Sequence, residues 1–256
     1  MNLIKNNDIF LLEELIKRNF AAKYKDSVLG ILWSVLKPLL IMILLTIIFS
    51  TLFSKTISNF PVYFLAGKCI FDFFSASTNL ALISIKGNKN ILKKTTAPKY
   101  IFVLSSIISE FLNFIITLLI LIGVMIVTNA PFHLLIMPLA IIPIISVILL
   151  STGLGLILSI IGVYYTDIQH LWSVVILMLM YASAIFYPME IIPNPFHDIM
   201  ILNPIFWAIN QFRYFFIWGK IPSVIYITNS LLISMIILVL GAILFKKYES
   251  KIIMKL

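Results

Sequence analysis

Among the ionisable side chains within long apolar runs of this sequence are Lys68, Asp72 and Glu110. A charge in hydrocarbon is expensive, so each must be paired or must face a polar path. Lys68 and Asp72 stand four residues apart, which puts them on one helix face where they neutralise each other. Glu110 has no such neighbour and is expected to pair with another helix. Proton or ion coupling is the other chemistry open to these groups, and structural pairing is the preferred reading. Further reactive constellations are missing from the sequence. No G-x-x-x-x-G-K-[ST] occurs, since Gly67-Lys68 and Gly219-Lys220 lack both the upstream glycine and the following Ser or Thr. His133, His170 and His197 are scattered without H-E-x-x-H spacing, so no metal site is expected. No aspartate-rich pair stands ready to hold a metal and a diphosphate for prenyl or glycosyl transfer. The chain is therefore expected to be no enzyme, with no catalytic residue and no cofactor of its own.

The elements that position these residues are set by composition. Of 256 residues, 61% are hydrophobic and 11% charged, which places the chain among polytopic membrane proteins. The start, MNLIKNNDIFLLEE, lacks the pattern of a removable signal peptide. The single cysteine, Cys69, excludes an internal disulfide framework. The expected fold is all-α with six transmembrane helices, at about 33–54, 61–84, 100–128, 134–164, 170–187 and 222–245. Ahead of them, Ile9, Leu12, Ile16 and Phe20 fall on one side of a helical wheel, opposite Glu14, Arg18 and Lys25. An amphipathic surface helix over 1–30 is thus expected, with Glu13–Lys17 and Glu14–Arg18 pairs, leading into a permease domain over 31–256.

The net charge of +9 is not a nucleic-acid footprint, because the charges sit at the ends of apolar runs. Lys5, Lys17, Arg18, Lys23 and Lys25 precede the first span; Lys86, Lys89, Lys93, Lys94 and Lys99 lie between the second and third; Lys246, Lys247, Lys251 and Lys255 follow the sixth. The alternate loops hold only Lys55, Arg213 and Lys220. Both termini are then expected on the cytoplasmic side of a multi-pass protein. The third and fourth spans form a tight hairpin around Asn129 and Pro131. Small residues at Ser151, Gly153, Gly155, Ser159 and Gly162 predict close helix packing, within the chain in preference to between copies. The loop 84–99 is basic, is expected to hold two helical turns capped by Asn88 or Asn90, and carries an apolar tip at Ile91 and Leu92 suited to docking on a soluble partner. The short loop at Tyr165–Ile168 offers a second contact. The stretch 188–221 holds apolar pieces too short to cross a bilayer and dense in rings, read as re-entrant or interfacial helices. These form an aromatic belt, or a lid whose rings stack on sugar faces.

With those residues in view, the chain resembles a family. Lys23-Tyr24-Lys25-x-Ser27-x-Leu29-Gly30-x-x-Trp33-x4-Pro38 is similar to the entrance of the permease subunits of type-2 ABC exporters of O-antigen, capsular polysaccharide and teichoic acid. Asn90-Ile91-Leu92-Lys93-Lys94 before Pro98, Gly153-x-Gly155 before Tyr164-Tyr165-Thr166-Asp167-Ile168, Tyr187-Pro188 and Leu202-Asn203-Pro204 extend the likeness along the whole chain. Thr166 departs from it, standing where arginine is usual, and so does Lys68, where an apolar residue is usual. The resemblance implies a homodimer bound to two cytoplasmic ATPase subunits, which hold ATP and Mg, in the plasma membrane of a prokaryote, with a polyprenyl-linked glycan as substrate and no nucleic acid. It implies ATPase-coupling roles for Glu13, Arg18, Lys89, Asn90, Ile91, Leu92, Lys93, Lys94 and Asp167. Rings within the spans, Trp33, Phe71, Phe74, Tyr181 and Tyr187, are the candidate path lining. Phe206, Trp207, Phe212 and Tyr214 are the candidate external gate. A drug exporter of the same superfamily, an ion-coupled secondary transporter using Glu110 or Asp72, and a membrane transferase are the alternatives.

Overall fold

A computed structural model describes residues 6–25, 27–94, 97–193, 197 and 200–255. The described residues are helical or irregular, with no strand among them. In chain order the helices with described bounds are α1 (Asn6–Ala22), α2 (Leu32–Phe49), α3 (Phe60–Gly87), α4 (Lys89–Leu92), α5 (Tyr100–Val127), α6 (Ile141–Tyr164, preceded by a 3-10 turn at Met137–Ala140), α7 (Ile168–Tyr181), α8 (Pro204–Phe216) and α9 (Val224–Lys255). Among the described residues, five helical stretches are long and apolar enough to cross a membrane: Leu32–Phe49, Phe60–Gly87, Tyr100–Val127, Met137–Tyr164 and Val224–Ile252. The expected fifth span differs. Its helix stops at Tyr181 after 14 residues, about 21 Å at a 1.5 Å rise, short of a ~30 Å hydrocarbon core.

The bundle is built around α3 and α6. Phe64, Leu65, Ile70, Phe71 and Phe74 of α3 are all within 2% of full burial. Glycines set the spacing. A Cβ on Gly153 would lie 2.6 Å from the backbone of Ile237 and Leu238 in α9, and Gly241 faces the Gly153 carbonyl just as closely. A Cβ on Gly162 would lie 2.6 Å from the Leu82 carbonyl oxygen of α3, and one on Gly155 3.0 Å from the Ala81 methyl. The small-residue face thus packs within the chain, on α9 and α3. Beside the α6–α9 crossing, the Ser146 hydroxyl lies 3.1 Å from Ser230 Oγ and 2.9 Å from Ser234 Oγ, satisfying hydroxyls that lipid leaves unpaired. The hairpin after α5 turns through Asn129 in the left-handed region, φ 51°, a conformation asparagine tolerates better than most side chains. By contrast, α2 buries only Met42 and α7 only Trp172. Leu40, Leu44 and Ile47 of α2 and Leu171, Leu177 and Met178 of α7 are all more than half exposed.

Candidate transport path, docking loops and far-end brace

One end of the bundle, called the basic end below, gathers α1, α4 and the α6–α7 connection. α1 buries most of the face its periodicity suggests: Leu12, Ile16 and Phe20 are half-buried, with Glu14, Arg18 and Lys25 exposed opposite. Ile9, at 45%, is the exposed member of that face, and Leu15, off it, is the most buried residue of the helix at 3%. Polar contacts then run up α5 in step: Asn19 Nδ2 to Ser105 Oγ at 3.4 Å, Lys23 Nζ to Glu110 Oε2 at 2.8 Å, and the Tyr24 hydroxyl to Asn113 Oδ1 at 2.8 Å. Asn113 also donates to Glu110 Oε2 at 3.0 Å. Glu110 therefore has its interhelical partner, a lysine just past the end of α1. Lys68 and Asp72 pair as expected.

The expected i,i+4 pairs of α1 are replaced. Lys17 bonds Glu14 at 2.9 Å, three residues away, and this contact raises the Lys17 pKa. Arg18 reaches Asn88 Oδ1 at 2.7 Å. Asn88 in turn donates to the Ser84 carbonyl at 2.7 Å, so its side chain does not cap α4. The expected two-turn element is a single turn, Lys89–Leu92. Its apolar tip is turned inward: Leu92 is 4% exposed and packs in the core, Ile91 is half-buried, and Lys89, Asn90, Lys93 and Lys94 face outward with Glu13 and Asp167. Burial of Leu92 anchors the turn and leaves charge, not apolar surface, on display.

The second loop meets the first through Lys86, whose ammonium donates to Thr166 Oγ1 at 3.1 Å. A cleft of about 250 Å³ opens there, lined by Leu82, Ile83, Lys86, Gly162, Thr166 and Gln169. Thr166, the departure noted in sequence, receives a cation from the neighbouring helix instead of supplying one.

Among the ring candidates for the path, Trp33 and Tyr181 are 45% and 56% exposed, whereas Phe71 and Phe74 are core side chains. Phe74 lies 6.3 Å from the Trp172 ring, and Trp172 Nε1 donates to Thr78 Oγ1 at 3.2 Å, which pins α7 to α3. These two phenylalanines therefore line no open path in this conformation, because α5, α6, α7 and α8 all pack around α3.

At the far end, α8 carries the rings expected to form a gate. Asn203 accepts from Ile205 N at 3.0 Å and Pro204 occupies the first turn, a strong helix start. Phe206, Trp207 and Phe212 are buried and Tyr214 is half-buried. Trp207 stacks on Tyr226 at 4.4 Å, Phe212 on Phe216 at 4.7 Å, and Tyr214 meets Trp218 at 4.8 Å. The rings thus bind one another and leave no stacked face free at Phe212.

The residue that sequence reading passed over is Arg213, fully buried at 0% exposure. Its Nε donates to the Tyr63 carbonyl at 3.3 Å, Nη1 to Ala184 at 2.9 Å and Nη2 to Ile185 at 3.1 Å. The guanidinium carbon sits 3.5 Å over the Tyr63 ring. The Tyr63 hydroxyl reaches the Tyr187 and Ala184 carbonyls at 3.1 and 3.4 Å. Asn203 Nδ2 reaches the Ala182 carbonyl at 3.3 Å and the Ser183 hydroxyl at 2.9 Å. The signal that was present is the lone cation inside Phe212-Arg213-Tyr214-Phe215-Phe216, since a charge among rings needs an internal partner.

The described residues form a polytopic helical bundle with basic loops at one end and an interrupted apolar helix at the other. Residues 11–217 match the ABC-2 type transporter family, and the chain belongs to that family. It is similar to two proteins of Klebsiella pneumoniae called O-antigen export system permease protein RfbA. Identity is 28% to one and 29% to the other over 245 residues, 93% of this chain and 92% of each relative. It is also 22% identical over 239 residues to the polysialic acid transport protein KpsM of Escherichia coli, covering 93% of both.

Proposed function

We propose that this chain is the membrane subunit of an ATP-driven exporter that moves a lipid-linked surface polysaccharide across the cytoplasmic membrane. The observation that carries the reading is the likeness to O-antigen export permeases over 93% of the chain. The missing P-loop fits an ATPase held in a separate subunit, with ATP and Mg bound there. The working unit is a homodimer with two such ATPases, and the uncovered apolar faces of α2 and α7 suit the second copy. Residues 182–187, of which Ser183, Ala184 and Ile185 are buried in protein, extend α7 into a sixth crossing. Non-helical backbone is tolerated at membrane depth only in such surroundings. Six crossings put both termini and the basic loops on the cytoplasmic side, as their lysines favour.

In this reading 1–30 is the interface helix, 84–99 the coupling element and 188–221 the gate region. Glu13, Arg18, Lys89, Asn90, Lys93, Lys94 and Asp167 face the ATPase, while Ile91 and Leu92 seat the coupling turn. Because Arg18 is bonded to Asn88, α1 and α4 receive the ATPase stroke together. ATP-driven closure shifts the permease between states only in so far as these contacts differ in the two. Parting of α2 and α7 from their counterparts in the other copy then opens a path past Trp33, Tyr181 and Tyr187. Glu110 and Asp72 already hold cation partners, which favours a structural role for them over ion coupling.

Deletion of the chain should abolish surface glycan without changing drug efflux, and loss of drug efflux alone would overturn the reading. Reversing Lys89, Lys93 and Lys94 to glutamate should reduce ATPase copurification at least tenfold with insertion intact. Undiminished copurification would remove the coupling assignment.

A further inference from the structure

Helix α7 ends at Tyr181; the Ala182 N–H closes its last helical bond, to the Met178 carbonyl at 2.9 Å, and the chain then runs irregularly to the next short helical turn at Met189–Ile191. A buried peptide carbonyl with no partner is strongly disfavoured in apolar surroundings. Side chains supply the missing donors: Asn203 for Ala182, Arg213 and Tyr63 for Ala184, Arg213 for Ile185 and Tyr63 for Tyr187. Ala184 adopts φ 49°, a left-handed conformation that a non-glycine residue holds only when its surroundings impose it. Two donors converge on its carbonyl. Arg213 forms no ion pair among the described residues, so its whole fork serves main-chain acceptors. Gly67 makes the room, since a Cβ there would lie 2.6 Å from Arg213 Nη2.

We propose that Arg213 is a positioning residue that holds the interruption after α7 in its non-helical form and joins the far ends of α3, α7 and α8 into one unit. The planar fork reaches two successive carbonyls while stacking on Tyr63, a geometry that a lysine ammonium does not reproduce. α8 therefore does not swing as a free lid; it moves with the broken end of α7 and with Tyr63. The part this unit plays in export rests on the function proposed above, whereas the brace itself does not.

The test is thiol accessibility. Cys69→Ser removes the one native cysteine, and Ser183→Cys places a near-isosteric reporter at a position that is 0% exposed beside the clamped carbonyls. Ser159→Cys, equally buried in α6, reports on the bundle away from the brace. With Arg213 present, a membrane-impermeant maleimide should label both reporters slowly in proteoliposomes. Arg213→Met should speed labelling at position 183 at least tenfold and leave position 159 unchanged. Arg213→Lys should fall between native and Met, and Ala184→Gly with Arg213 intact should match native. Equal labelling at 183 in native and Arg213→Met overturns the proposal, as does a parallel rise at 159, which marks loss of the whole bundle. Should Arg213→Met not insert, Tyr63→Leu and Gly67→Ala loosen the fork from either side; a severalfold rise confined to 183 supports the brace and no rise overturns it. Surface glycan measured in the same variants should fall in the order of labelling. Unchanged export despite faster labelling removes the brace from transport, while absence of export by the native chain strikes the function proposed above and leaves the labelling result standing.

Discussion

Replacing Gly153 by alanine tests how the bundle is held together. The new methyl would lie 2.6 Å from Ile237 C and O and from Leu238 N, all backbone that no rotamer change can move. Carbon contacts settle at about 3.5–4.0 Å, so α6 and α9 must part by roughly 1 Å. Overpacking of this kind costs about 1–3 kcal/mol. The same displacement stretches the Ser146 contacts to Ser230 and Ser234, now 3.1 and 2.9 Å, beyond hydrogen-bonding range. Interhelical hydrogen bonds in membranes average about 0.6 kcal/mol each. The expected loss is therefore about 2–4 kcal/mol, on the order of 5–15 °C in the thermal midpoint of the detergent-solubilised protein. Gly123→Ala in α5 is the control, because nothing lies within 4 Å of its new methyl and alanine favours a helix by roughly 0.5–1 kcal/mol over glycine. If Gly153→Ala unfolds no earlier than Gly123→Ala, the close crossing is not what holds α6 to α9.

Lys23→Met and Glu110→Gln should show a coupling of about 1 kcal/mol in a double-mutant stability cycle, reduced from that of a fully buried pair because Lys23 is 42% exposed; additivity would mean the pair is incidental. Gly219→Ala should lower the thermal midpoint, since Gly219 has φ 57° and its Cβ would enter the His133 ring; the left-handed backbone alone costs about 1–2 kcal/mol. Trp172→Phe, which removes the indole donor to Thr78, should loosen α7 from α3 and raise protease cleavage in the α6–α7 loop, and an unchanged digestion pattern would refute that link. Lys17 is held above the usual lysine range by Glu14, so the contribution of that pair is complete at neutral pH and is lost only as pH rises through the raised value. A midpoint that changed on Lys17→Met at pH 12 by as much as at pH 7 would contradict it.

Much of this architecture is legible in the residue order because hydrocarbon thickness and helical rise are fixed lengths. Runs of apolar residues state where chains cross, lysines at their ends state which loops share a side, and Gly153 and Gly162 announce close packing before any partner is known. Pairing was legible for Lys68 and Asp72 on one helix, but not on α1, where Lys17 takes Glu14 and Arg18 goes to Asn88. Nor was it legible where partners come from different elements. Periodicity marked Ile9, Leu12, Ile16 and Phe20 on α1 but not Leu15, which the fold buries most deeply, since a helix end amid lipid and protein has two apolar surroundings to choose between. Only the fold brings Lys23 to Glu110, Arg18 to Asn88, and Arg213 to carbonyls 28 and 29 residues away in sequence. What surrounds the early end of α7 is decided in the same way: donors from α3 and α8 bond the backbone carbonyls of Ala184, Ile185 and Tyr187, and those donors are neighbours in space alone.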